Sequence, residues 1–120
     1  MKRLLLLEDD FALSDLFTRF LSDYRVLRTS SATDALTCLE RGEALDAAII
    51  DFWLVEGTAI PVLDALRDDH PQVPVIVISG GNQSFSPELT EALSVLSRAN
   101  LFLQKPFSRE DLLSALETVL

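Results

Sequence analysis

Three acidic residues in this sequence follow directly on runs of apolar residues. The run at residues 4–7 ends at Glu8 and Asp9, and the run at residues 47–50 ends at Asp51. Carboxylates that are brought close together repel one another, so such a cluster either holds a proton or binds a divalent cation. Mg²⁺ prefers oxygen ligands in octahedral geometry and keeps several waters. If the fold gathers the three acids, the sequence predicts a magnesium site.

A hydroxyl group and an ammonium group occupy comparable positions later in the chain. Ser79 ends the apolar run at residues 75–78, and Lys105 comes shortly after the run at residues 101–103. A carboxylate that lies beside both Mg²⁺ and a lysine is set up to attack a phosphoryl group, because the two cations offset the charge on the oxygens in transfer. We therefore predict phosphoryl transfer, with Asp51 as the nucleophile.

The apolar runs before these residues indicate buried strands of a parallel sheet, since they are too short for most helices. Between them, apolar residues such as Leu13, Leu16 and Phe17 recur at helical spacing. Strands that alternate with helices predict an α/β domain with helices on both faces of the sheet, and function in such sheets collects at the carboxyl ends of the strands. The five predicted strands are residues 4–7, 24–27, 47–50, 75–78 and 101–103.

Capping residues predict where several helices begin and end. Ser31 and Ser108 each open a capping-box pattern, and Gly42 stands where a glycine commonly ends a helix. Residues 86–87, a serine followed by a proline, predict the start of the fourth helix. Asp10 is interpreted as an acid at the entry to a helix, with a structural role only.

The composition limits the classes of function. A chain of 120 residues that is 48% hydrophobic is large enough for one domain, which we predict to span residues 1–120. A net charge of -9 argues against direct binding of nucleic acid, and no apolar run reaches the roughly 18 residues that a membrane span needs. One cysteine, Cys38, forms no internal disulfide, so a cytoplasmic location is the default.

The reactive residues and their order resemble the receiver domain of two-component response regulators, which are CheY-like proteins. The resemblance covers essentially the whole chain and rests on four motifs: Glu8-Asp9, Asp51, Ser79-Gly80 and Lys105-Pro106-Phe107. Together they are specific, although each motif alone is weak. The resemblance implies a flavodoxin-like, doubly wound (βα)5 domain with strand order 2-1-3-4-5.

The resemblance also implies a role for each residue of the site. Glu8 and Asp9 would be the acidic pair that holds Mg²⁺, together with Asp51 and the backbone carbonyl of Trp53. Asp51 would accept phosphate from a phosphohistidine. The only tryptophan, Trp53, would cover the mouth of the site with its side chain, for which no chemistry is expected.

Three further residues of the family pattern concern the phosphoryl group and the response to it. Ser79 would hydrogen-bond one phosphoryl oxygen and Lys105 would form an ion pair with another. The Lys105-Pro106 peptide would be cis. Phe102 occupies the place of the family's switch aromatic, which swings inward when the hydroxyl residue moves towards the phosphate.

The function implied is that of a signalling switch which catalyses its own phosphorylation and slow dephosphorylation. The phosphodonor would be a sensor histidine kinase or a histidine phosphotransfer protein. Phosphorylation would change the surface of the fourth helix, fifth strand and fifth helix, through which a homodimer is also expected. The downstream effector is not specified by the sequence.

Four departures from the family pattern concern the surroundings of the site. Val55 replaces a proline that usually follows the phosphoacceptor, and Ala59 stands near a usual glycine. Arg98 and Ala99 stand where the family often has Gly-Ala, and residues 81–85 read as an insertion. They affect the shape expected for the output face and remove no catalytic group.

Three other functions fit parts of the pattern. A degenerate receiver would act as an interaction module without phosphorylation. A Mg²⁺-dependent phosphohydrolase of the haloacid dehalogenase type needs a second acid two residues after the nucleophile, where this chain has Trp53. A flavodoxin-like cofactor binder needs a phosphate cradle after the first strand, and the acids at residues 8–10 make a poor one.

Overall fold

The computed structural model describes residues 1–80, 87–96 and 98–120, and within them five parallel strands form one sheet. We number these strands β1 to β5 along the chain, and their order in the sheet is β2-β1-β3-β4-β5. The prediction of a doubly wound α/β domain with strand order 2-1-3-4-5 is therefore confirmed. The strands are β1 (Arg3–Leu7), β2 (Arg25–Thr29), β3 (Ala47–Asp51), β4 (Val75–Ser79) and β5 (Leu101–Gln104).

Five helices cover the two faces of this sheet, because alternate side chains of each strand point to opposite faces. Leu5 and Leu7 of β1 join the core on one face, and Leu4 and Leu6 join the core on the other. None of the helices in the described residues combines the length and the apolar character that crossing a membrane requires. The helices are α1 (Phe11–Phe20), α2 (Ala32–Glu40), α3 (Ile60–Asp69), α4 (Pro87–Leu96) and α5 (Arg109–Val119).

Two predicted capping boxes have different outcomes. At the start of α5 the box is complete, since Asp111 N donates to Ser108 Oγ at 3.1 Å and Ser108 N donates to Asp111 Oδ2 at 3.0 Å. At the start of α2 only half of it forms: Asp34 N donates to Ser31 Oγ at 3.1 Å, but the Asp34 carboxylate accepts from Ser30 Oγ at 3.3 Å instead. Ser31 is the N-cap of α2 without a reciprocal partner.

The second strand lies further along the chain than the apolar pattern predicts. Residues 24–27 are the predicted strand, whereas β2 spans Arg25–Thr29. The reason is pairing with β1, whose register runs from Arg3 opposite Arg25 to Leu7 opposite Thr29. Ladder hydrogen bonds therefore set these bounds, and polar residues complete an edge strand that is not fully buried. The predicted insertion at residues 81–85 and the cap at Ser86 lie outside the described residues.

The segment after β3 is a short antiparallel ribbon and not an open loop. Trp53–Leu54 pairs with Gly57–Thr58, which leaves Val55 and Glu56 at the tip. Leu54 is buried in the core, and Gly57 has a φ of 143°, a conformation that favours glycine. We call residues 53–58 the acceptor ribbon, because the ribbon directly follows the carboxylate at the end of β3.

Candidate functional site

The three acids predicted to form a metal site lie together at the carboxyl edge of the sheet. Glu8 and Asp51 are almost completely buried, with exposed fractions of 1% and 3%, and Asp9 is half-buried. One carboxylate oxygen of each residue lies within 4.8 Å of the others. The acids line an open cleft of about 1190 Å³. The prediction that the fold gathers these carboxylates is confirmed.

Lys105 brings its ammonium group into the same cluster. Its Nζ lies 2.6 Å from Glu8 Oε1 and 3.4 Å from Asp51 Oδ2. The backbone of Lys105 is anchored at the end of β4, because Lys105 N donates to Ser79 O at 2.7 Å. The Lys105-Pro106 peptide is cis, as predicted. Lys105 therefore bridges the two buried acids and approaches Glu8 more closely than Asp51.

Burial and crowding change the proton affinity of the central carboxylate. The pKa of Asp51 is raised to about 8, chiefly by burial and also by repulsion from Glu8, while attraction to Lys105 opposes the rise. Burial alone would lower the pKa of Lys105, but Asp51 and Glu8 outweigh it and the pKa is raised. Without a cation, the cluster relieves its excess negative charge by keeping a proton on Asp51.

The same excess charge makes the cluster suitable for Mg²⁺. Three ionised carboxylates and one ammonium leave two negative charges, which a divalent cation neutralises. All the side-chain donors are carboxylate oxygens, the ligands that Mg²⁺ prefers. The chemistry of this donor set fits the cation that the sequence predicts.

Backbone contacts fix the position of Asp51 at the mouth of the cleft. Asp51 is the last residue of β3, a strand buried along its whole length, and it lies opposite Ile78 of β4. The backbone of the next residue, Phe52, is also fixed by hydrogen bonds on both sides. Phe52 N donates to Ile78 O at 2.9 Å, and Ala59 N donates to Phe52 O at 2.9 Å. Phe52 is fully buried and anchors the start of the acceptor ribbon.

The two acids after β1 are also held by backbone amides. Asp10 N donates to Glu8 Oε2 at 3.1 Å, and Val55 N donates to Asp9 Oδ2 at 2.6 Å. Asp10 itself caps α1 by accepting from Leu13 N at 3.1 Å, which confirms its structural role. Glu8 and Asp9 are thus oriented towards the cleft while Asp10 serves the helix.

Ser79 and Phe102 lie at the predicted strand positions. Their positions alone do not test whether Ser79 contacts phosphate or whether Phe102 moves as a switch. Ser79 is fully buried at the end of β4, one residue before Gly80, which lines the cleft. Phe102 lies in β5 opposite Val77 and packs, half-buried, against the core on the face of α2 and α3. The phosphate contact of Ser79 and the switch role of Phe102 remain predictions.

Trp53 lines the cleft as expected, but its side chain also makes a contact that the sequence analysis missed. Its indole Nε1 donates to Thr90 Oγ1 in α4 at 2.5 Å, and its ring meets Phe52 edge to face with centroids 4.9 Å apart. Thr90 is fully buried. The expectation of a side chain that only covers the mouth is therefore incomplete, because Trp53 connects the acceptor ribbon to α4.

Glu56 is a second contact residue that sequence reasoning missed. Its carboxylate Oε1 accepts from Ala32 N, in the first turn of α2, at 2.9 Å. An acid at this position also interacts favourably with the helix dipole. No local pattern signals the contact, because Ala32 and Glu56 are 24 residues apart.

Comparison with known proteins agrees with the fold. Residues 4–117 match the profile of the response regulator receiver domain. The transcriptional regulatory protein CpxR of Escherichia coli is 28% identical over 122 residues, which is 100% of this chain and 50% of CpxR. The photosynthetic apparatus regulatory protein RegA of Rhodobacter capsulatus is 28% identical over 119 residues, which is 96% of this chain and 61% of RegA.

A solved structure shows the same fold. A CheY-like response regulator receiver domain protein from Methanospirillum hungatei superposes with a TM-score of 0.87 at 23% identity, covering 98% of this chain and 92% of that one. The chain spans about half the length of the curated relative CpxR. Since the profile match covers nearly every residue, from the first strand to the last helix, the chain belongs to the response regulator receiver domain family.

Proposed function

We propose that residues 1–120 form a receiver domain in which Asp51 accepts a phosphoryl group from a phosphohistidine. The observation that carries the proposal is the position of the Asp51 carboxylate. It lies at a strand end on an open cleft, 3.4 Å from Lys105 Nζ and within 4.8 Å of oxygens from Glu8 and Asp9. This is the arrangement of an attacking carboxylate next to groups that offset phosphoryl charge.

The transfer is a substitution at phosphorus. A carboxylate oxygen of Asp51 forms a new bond to phosphorus while the bond between phosphorus and the donor imidazole nitrogen breaks, and the imidazole leaves with its electron pair and takes up a proton. Lys105 stabilises the negative charge on one phosphoryl oxygen. Ser79, one residue before the cleft-lining Gly80, donates its hydroxyl to another.

Glu8, Asp9 and Asp51, with the backbone carbonyl of Trp53, would hold Mg²⁺ at this site. When bound, Mg²⁺ supplies positive charge that stabilises the phosphoryl oxygens during transfer. Asp51 would attack as the ionised carboxylate, and positive charge beside it would favour that form. Lys105 Nζ lies 2.6 Å from Glu8 Oε1 and 3.4 Å from Asp51 Oδ2, close enough to pair with a phosphoryl oxygen on Asp51.

Autodephosphorylation would follow the same geometry and would be slow. Water attacks phosphorus, the bond from phosphorus to the Asp51 oxygen breaks, and inorganic phosphate leaves. Two further acids line the cleft, but both are engaged: Asp10 accepts from Leu13 N and Glu56 accepts from Ala32 N. Each of these hydrogen bonds lowers the basicity of its carboxylate, which would make activation of water by Asp10 or Glu56 inefficient.

The output of the switch would be conformational. Phosphate on Asp51 would draw Ser79 inward, Phe102 would follow, and the surface of α4, β5 and α5 would shift towards an arrangement that already exists as a minor population. The partners in this scheme are a sensor histidine kinase or a histidine phosphotransfer protein, a downstream effector, and a second copy of the chain. We place the reaction in the cytoplasm, where a free cysteine such as Cys38 is the usual state.

Fluorescence of the only tryptophan tests the proposal directly. Trp53 lies two residues from Asp51, so Mg²⁺ and then beryllofluoride should each change its emission in the wild-type protein. Asp51→Asn should keep the fold, measured by circular dichroism, and lose the response to beryllofluoride. Acetyl phosphate should label the wild-type protein and not Asp51→Asn, as shown by intact mass.

The same experiment separates the alternative functions. A folded wild-type protein that responds to neither beryllofluoride nor acetyl phosphate would be a degenerate interaction module. Rapid turnover of free phosphomonoesters would instead indicate a phosphohydrolase. The structure offers that reaction little support, because the position of its second acid is occupied by Trp53, whose indole is bonded to Thr90.

A further inference from the structure

The contact between Asp9 and the tip of the acceptor ribbon is made by a backbone amide. Val55 N donates to Asp9 Oδ2 at 2.6 Å. A proline at this position would have no amide hydrogen to donate. The side chain of Val55 is 98% exposed, so the residue contributes to this site through its backbone.

The ribbon is fastened on the opposite side by its other tip residue. Glu56 Oε1 accepts from Ala32 N at the start of α2, at 2.9 Å. The two ends of the tip, Val55 and Glu56, are adjacent in sequence and contact different elements of the fold. The bond to Ala32 N therefore restrains the tip near Asp9.

We propose that the Val55 amide is a positioning group for the metal site, held in place by Glu56, and that it orients the Asp9 carboxylate for Mg²⁺. A carboxylate whose rotation is fixed by a second donor loses less freedom on binding a cation, and such outer partners commonly contribute about 10–100-fold to metal affinity. The amide holds Oδ2, and one carboxylate oxygen of Asp9 lies within 4.8 Å of oxygens of Glu8 and Asp51. The inference rests on the Mg²⁺ site of the proposed function.

Two substitutions of the same residue isolate the amide hydrogen. Val55→Ala and Val55→Pro both remove the exposed valine side chain, but only proline removes the donor. We expect the dissociation constant for Mg²⁺, measured by titration of Trp53 fluorescence and by calorimetry, to be about 10-fold higher in Val55→Pro than in Val55→Ala. Equal constants, or tighter binding by the proline variant, would overturn the inference.

Glu56 provides a second test that does not require proline to fit the ribbon. Glu56→Ala removes the anchor on α2 while keeping every amide, so the tip becomes free to leave Asp9. We expect weaker Mg²⁺ binding by several-fold, and a smaller loss for Glu56→Gln, whose amide oxygen still accepts from Ala32 N. If Glu56→Ala binds Mg²⁺ as the wild type does, the tip does not position Asp9.

A readout without metal checks the hydrogen bond itself. In Mg²⁺-free wild-type protein, the Val55 amide should exchange its hydrogen slowly, and Asp9→Ala should accelerate that exchange at least 10-fold. Fast exchange in the wild type contradicts the inference. A wild-type protein that binds no Mg²⁺ at all would refute the proposed function instead, so the two failures are distinguishable.

Discussion

The proton on Asp51 links the chemistry of the site to the stability of the metal-free protein. Burial and Glu8 raise the pKa of this carboxyl to about 8, whereas an aspartate in the unfolded chain titrates near 3.9. Between these values the folded state holds the proton more tightly than the unfolded state does. The stabilisation is therefore complete at pH values below the unfolded pKa and is lost as the pH rises through the folded pKa.

We expect the free energy of unfolding of the metal-free protein to fall between pH 5 and pH 8, by at least about 1.4 kcal/mol, the equivalent of one pKa unit. Asp51→Asn should lack this fall, because its amide carries no charge at either pH. Urea unfolding with a chelator at both pH values measures the difference. Asp64→Asn, which removes an exposed carboxylate on α3, is the control that should keep the wild-type profile. Parallel profiles for wild type and Asp51→Asn would contradict the expectation.

At the scale of secondary-structure elements, a hydrogen bond links the acceptor ribbon to α4. Trp53 stands next to the proposed metal site by sequence, and its indole N–H donates to the buried Thr90 hydroxyl at 2.5 Å. A change in the ribbon that moves the indole must therefore move α4 or break the hydrogen bond. The contact offers a route from the site to the output surface in addition to Ser79 and Phe102.

We expect Thr90→Val to loosen α4, because valine has the same shape but accepts no hydrogen bond. The free energy of unfolding should fall by about 1 kcal/mol, and the amides of α4 should exchange hydrogen faster than in the wild type. Thr90→Ser, which keeps the hydroxyl, should restore most of the protection. If serine and valine at this position give the same exchange rates, the hydroxyl does not hold the helix.

The elements that could be predicted from the sequence are those whose burial is complete. The strands at residues 47–50 and 75–78 are continuous apolar runs, and the structure buries every residue of β3 and β4. The end of β2 could not be predicted, since Thr29 belongs to the strand through its register with Leu7. The apolar pattern of a segment predicts whether it is buried, whereas the bounds of a strand depend on its pairing with a neighbouring strand.

The site shows the same division. The sequence was sufficient to predict that four site residues lie close together, because parallel strands place their carboxyl ends at one edge of the sheet. These residues are Glu8, Asp9, Asp51 and Lys105. The hydrogen bonds around the site could not be predicted, because their partners are far apart in the sequence. Val55 and Asp9 are separated by 46 residues, and Trp53 and Thr90 by 37. These contacts depend on the exact path of the acceptor ribbon, for which the only sequence signal is Gly57.

At the scale of the whole molecule, we propose that the response is transmitted through the surface of α4, β5 and α5. The C-terminal part of α4 exposes two large apolar side chains, with 66% of Val95 and 78% of Leu96 accessible. These residues lie on the surface of α4, β5 and α5 on which we propose that a homodimer forms. A net charge of -9 on each copy opposes association, so the apolar contact has to overcome repulsion.

We expect beryllofluoride with Mg²⁺ to shift the protein from monomer towards dimer in sedimentation experiments, and added salt to strengthen the dimer because salt screens the repulsion between copies. Val95→Glu and Leu96→Glu should keep the Trp53 response to beryllofluoride and abolish the dimer, since each places a further negative charge in the contact. Phe11→Glu, which changes an exposed residue at the start of α1 that does not line the cleft, is the matched control and should still dimerise. A wild-type protein that remains monomeric while Trp53 responds fully would show that the switch signals through a different partner, and the homodimer would be excluded.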